Sequence, residues 1–132
     1  MWKSNGLLAL VLAGVLVSHG AQADELTAGD KAKGEALFGH MCVTCHALTS
    51  NRMGPQLGGV YGRKAGAVPE FNYSSAVKAS DVTWNSDTLD KWLSGPSKFV
   101  PGARMIFVVS DPQKRSDVIA YLKSLSDAEN KK

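Results

Sequence analysis

Cys42-Val43-Thr44-Cys45-His46 sets two thiols two residues apart, with an imidazole directly after the second. This C-x-x-C-H spacing suits covalent attachment of haem c. The thiols can bond the two vinyl groups along one porphyrin edge, and the histidine then comes under the iron as an axial ligand. A porphyrin held this way becomes part of the core, and the chain must bury it, complete its coordination and leave one edge accessible. Two other uses of these residues are weaker. A thioredoxin-like pair calls for alternating strands and helices, and strand-like runs are scarce here. A zinc site drawing on Cys42, Cys45, His46 and His40 would lack the distant second pair of ligands that structural zinc usually has.

N-terminal to the motif, Lys3, an apolar run from Leu7 to Val17 and the small-x-small sequence Ala21-Gln22-Ala23 have the form of a cleaved export signal. The run is too short to span a bilayer, which takes about twenty residues. Residues 1–23 are therefore expected to be removed before Asp24, leaving 24–132 as one small haem-binding domain in the bacterial periplasm, where haem c is attached. Without Lys3, fourteen basic residues face twelve acidic ones, and the lysines are scattered. Such a balance gives no nucleic-acid footprint, and no stable membrane insertion is expected. Both cysteines lie in the one motif, so no disulfide framework joins distant segments.

The remainder reads as short helices joined by glycine- and proline-rich loops, an all-α class. Thr27 and Asp30 resemble a capping arrangement, after which Gly34, Leu37, Phe38 and Met41 recur at helical offsets and run straight into the motif. Ser86 is expected to cap a helix carrying Leu89, Trp92 and Leu93 on one face, with Gly95-Pro96 as its stop. Ser74 can start a shorter turn. Ser110 and Pro112 signal a terminal helix with Val118, Tyr121, Leu122 and Leu125 on its inner face. Segment 47–72 is expected to be loop.

A second axial ligand decides whether the iron only exchanges electrons or also takes small ligands. Met41 and Met53 lie too close to the motif to reach across the ring easily. Met105 is far enough downstream to pass around the porphyrin edge, and Pro101-Gly102 can turn the backbone toward the iron.

Several stretches, in order, resemble the soluble class I c-type cytochromes, bacterial relatives of mitochondrial cytochrome c. They are Gly34 to Phe38 leading into the motif, Gly54-Pro55, Tyr61 to Lys64, Phe71-Asn72-Tyr73, Thr83-Trp84, Val100 to Phe107 and Ile119 to Leu122. The resemblance implies a cytochrome c fold with one covalently bound haem c, Cys42 and Cys45 as thioethers, and His46 and Met105 as iron ligands. It further implies that the Pro55 carbonyl accepts from the outer nitrogen of His46. Arg63, Tyr73 and Trp84 would surround the haem propionates, Phe107 would cover the exposed edge, and Gly34 and Tyr121 would lie where the first and last helices cross. Where mitochondrial members often hold a buried water with asparagine, tyrosine and threonine, this chain has Val77, Trp92 and Ala103, which implies a drier distal pocket. Met41, Ser97 and Asp111 replace lysines of the docking ring, while Lys98 and Arg104 remain, so electrostatic steering should be weak.

The implied function is a periplasmic one-electron carrier, not an enzyme, monomeric and shuttling between redox protein partners. The alternatives are a dedicated cytochrome subunit accepting electrons from a periplasmic dehydrogenase and, further off, a ligand-binding or peroxidase-like haem protein with an open iron position.

Overall fold

The computed structural model describes residues 28–132; the expected leader, 1–23, lies outside them. Five helices follow in chain order: α1 (Lys31–Met41), α2 (Ser75–Ala79), α3 (Ser86–Ser94), α4 (Pro96–Phe99) and α5 (Pro112–Glu129). Among the described residues there is no strand, only an isolated bridge between Lys64 and Thr83, and no helix is long and apolar enough to cross a membrane.

Helix starts are set by side chains that accept the otherwise unpaired first N–H groups. Asp30 is extended and accepts from Ala32 N and Lys33 N at 2.8 and 3.0 Å. Asn85 and Thr88 form a reciprocal box, each side chain accepting from the other's backbone N–H at 2.9 Å. Asp111 accepts from Gln113 N and Lys114 N at 2.9 and 3.2 Å. The expected cap at Ser86 therefore moves by one residue to Asn85, and the terminal helix signalled by Ser110 and Pro112 is capped by Asp111 between them. Gly95 does end α3, but Pro96 opens α4 instead of marking a stop, because the first helical position needs no N–H and suits proline's fixed φ. Ser74 caps α2 as expected.

The cap at Asp30 has a pH signature. Its bond from Lys33 N, aided by that from Ala32 N and opposed by desolvation, holds the carboxyl below its ordinary value of 3.8. A carboxylate depressed on folding adds stability that is fully present above the unfolded pKa and disappears as pH falls through the folded one. Asp30→Asn keeps an acceptor but cannot take up that proton. Acid unfolding followed by circular dichroism should therefore be less steep in Asp30→Asn below pH 3.8; equal steepness would contradict this role.

Crossing of α1 and α5 joins the two ends of the domain. Gly34 lies against the Asp117 backbone and Tyr121, and the Phe38 and Tyr121 rings pack beside it with centroids 5.5 Å apart. Asp117 is buried, and one carboxylate oxygen accepts from Asp30 N at 2.8 Å and from Gln113 Nε2 at 3.0 Å. Burial of such a group is tolerable only because it is bonded. α3 buries Leu89 and Leu93 and is tied to α5 by Arg115 Nε donating to Asp90 at 2.6 Å. Residues 47–72 form the expected loop region, steadied where Trp84 N donates to Arg63 O and Ala65 N to Val82 O at 2.9 and 2.8 Å.

Candidate functional site

α1 ends by delivering the cysteine motif. Cys42 is its C-cap, and the N–H groups of Cys45 and His46 both turn back onto Cys42 O, at 3.1 and 2.9 Å. Both thiols are free and half-buried. Burial, with Cys45 adding to it, pushes the Cys42 thiol up to about 11, so it is a neutral thiol at ordinary pH.

His46 is held by the loop that follows. Gly54 N donates to Cys45 O at 2.8 Å, which lays the Gly54 backbone against the imidazole; a Cβ at this position would collide with the ring. The next residue, Pro55, places its carbonyl oxygen 2.8 Å from His46 Nδ1. A carbonyl can only accept, so Nδ1 carries the proton and Nε2 keeps its lone pair. Burial lowers the His46 pKa from 6.5, with the Pro55 bond partly opposing, and the ring stays neutral. This is the form in which an imidazole ligates a metal, oriented by an outer acceptor.

Met105 is brought in by the segment between α4 and α5. Ala103 N closes a turn onto Val100 O at 3.0 Å, and Gly102 takes φ +95°, a conformation that favours glycine. Val109 N donates to Leu93 O at 2.8 Å and fixes the far end of the segment on α3. The Trp92 indole N–H donates to Met105 Sδ at 3.2 Å. Val77 is buried and Ala103 half-buried, and neither side chain has a hydrogen-bonding group, so Trp92 is the polar member of this trio.

The remaining expected residues, Arg63, Tyr73, Trp84 and Phe107, lie in the connecting segments. Arg63 donates to Gly58 O and Gln56 O at 2.9 and 2.8 Å; burial lowers its pKa, offset in part by Tyr73 and Glu129. The Tyr73 hydroxyl accepts from Val68 N at 3.2 Å, which leaves its own proton for a further acceptor. Trp84 is buried, edge-on to Trp92 with ring centroids 5.2 Å apart. Phe107 is on the surface, as are its neighbours Ile106 and Val108.

Two free thiols, a neutral imidazole with an available lone pair and a thioether form a donor set that fits haem c better than a bare ion. Among the described residues, no three side chains of His, Cys, Asp or Glu converge to hold a metal, which removes support for zinc. Among the described residues, a thioredoxin-like arrangement has no sheet to stand on. Sequence reasoning missed one neighbour of the motif: the Met53 sulfur lies 3.6 Å from Cys45 Sγ, a contact that only the turn at Gly54 creates.

A family model described as Cytochrome c matches residues 31–126. A cytochrome c2 of Rhodomicrobium vannielii is 44% identical over 119 residues, covering 87% of this chain and 91% of that protein. A cytochrome c of Chlamydomonas reinhardtii is 43% identical over 103 residues, covering 75% of this chain and 92% of that protein. Among solved structures, cytochrome cH from Methylobacterium extorquens superposes with a TM-score of 0.69 at 46% identity, covering 73% of this chain and 99% of that one.

Proposed function

The chain belongs to the cytochrome c family and is a haem electron carrier with one covalently attached haem c, not an enzyme; from this premise we propose that it works in the periplasm with His46 and Met105 as its axial pair. The observation that carries the proposal is the His46–Pro55 bond at 2.8 Å, which fixes the tautomer that has a ligating Nε2. Cys42 and Cys45 would form the two thioethers. Arg63, Tyr73 and Trp84 offer donors to the propionates, and Phe107 covers the accessible edge. When bound, the haem supplies a one-electron couple, and a thioether ligand in an apolar surround favours its reduced form.

Partners are redox proteins that donate to and accept from this edge, and the carrier is a monomer whose leader is cleaved before Asp24. Absorption spectra of the oxidised and reduced protein, including the weak long-wavelength sulfur-to-iron band, test the ligation directly. A protein without that band would overturn the Met105 assignment.

Trp92 tunes the pair. Its N–H draws electron density from the Met105 sulfur and so makes the thioether a poorer partner for oxidised iron. A weak hydrogen bond of this kind is worth about 0.5 kcal/mol, which corresponds to ~20 mV for one electron, given about 59 mV per tenfold change. Trp92→Phe should therefore lower the midpoint potential by that order in a spectroelectrochemical titration. An unchanged or raised potential would contradict the assignment.

A further inference from the structure

Three methionines lie among the described residues, and their sulfurs differ in what shields them. Met41, at the end of α1, is half-buried and packs against the core. Met105 is also half-buried, and its sulfur already accepts the Trp92 N–H. Met53 is 79% exposed, although it sits in a tightly held turn. Arg52 Nη1 donates to Val43 O at 2.5 Å, Arg52 N to Gly54 O at 2.9 Å and Gly54 N to Cys45 O at 2.8 Å. The adjoining Gly54 backbone packs against the His46 ring, whereas the Met53 side chain lies on the outside of the turn. The residue is presented to solvent, with its sulfur 3.6 Å from that of Cys45.

We infer that Met53 is a peroxide-modification site on the rim of the haem-attachment loop. Hydrogen peroxide transfers one oxygen atom to Met53 Sδ; the sulfur is oxidised by two electrons to the sulfoxide, and the peroxide is reduced to water. Thioethers undergo this step according to how openly their lone pairs are presented, and sulfoxide reductases reverse it. The product places a polar, chiral S=O group beside Cys45, where an apolar thioether stood. The order of oxidation follows from exposure, while the optical control below rests on the proposed Met105 ligation.

The test is stepwise addition of dilute hydrogen peroxide to the intact holoprotein, followed by tryptic peptide masses. Cleavage after Lys33, Arg52, Arg63, Arg104 and Lys114 puts Met41, Met53 and Met105 on three separate peptides, 34–52, 53–63 and 105–114. Peptide 53–63 should gain one oxygen roughly ten-fold faster than the other two, the long-wavelength band should persist through this phase, and Met53→Leu should lose the early uptake. Equal or earlier oxidation of Met41 or Met105, or early uptake retained in Met53→Leu, would overturn the inference. If the band is missing before any peroxide is added, the ligation proposal fails while the order of oxidation is still measured.

Discussion

Met105→Ala should abolish the long-wavelength sulfur-to-iron band, open the iron to rapid carbon monoxide binding in the reduced protein, and lower the midpoint potential by on the order of 0.1 V or more. Axial ligation moves haem potentials over about 0.8 V, so losing a thioether is a large step within that range. The proposal takes this residue over the other methionines for a local reason. The turn at Val100–Ala103, the left-handed Gly102 and the Val109–Leu93 bond hold both ends of its segment, and Trp92 directs the sulfur at 3.2 Å. Met53 instead faces solvent. If Met105→Ala kept both the band and the potential, the ligand would have to be sought elsewhere and the proposed axial pair would be wrong.

Gly34→Ala and Gly39→Ala should have opposite effects, although both make the same change in the same helix. A methyl group at Gly34 would overlap the Asp117 carbonyl and come within 2.9 Å of Tyr121 Cβ. Neither obstacle is a flexible side-chain end, so α1 and α5 must move apart, disturbing the Asp30–Asp117 bond and the Phe38–Tyr121 contact. Overpacking of this kind costs about 3 kcal/mol, a loss of on the order of 10–20 °C in Tm for a domain of this size. At Gly39 a Cβ meets nothing within 4 Å, and the substitution should stabilise the protein by about 0.5–1 kcal/mol through helix propensity. Thermal unfolding of the two holoproteins followed by circular dichroism decides the matter; similar Tm values would mean that the crossing is not the tight contact described.

The haem motif, the helix periodicities and the Gly-Pro turn after His46 were legible in the sequence because each depends on residues near one another in the chain. Helix starts were less so. Ser86 and Ser110 are good capping types, yet the neighbours Asn85 and Asp111 take the extended conformation and accept the free N–H groups, a choice made by how the chain enters each helix. Asp117 as a buried acceptor could not be read at all: it is one polar residue on an amphipathic helix until Asp30, 87 positions away, comes against it. The nearness of Met53 to Cys45 was hidden in the same way, since it depends on a hairpin-like return through Gly54. Trp92 beside Met105 was visible only through resemblance, which placed an indole where related proteins carry a phenol.

The Asp30–Asp117 bond and the Gly34 crossing also impose an order on assembly. α5 is the last element of the chain, so until it docks α1 has no partner for its buried face, and the cysteine-bearing turn that continues from it hangs on an unclosed scaffold. Both thiols stay within reach of an incoming porphyrin during that interval. Docking of the final helix then shuts the domain, so that pigment is enclosed when the two chain ends meet.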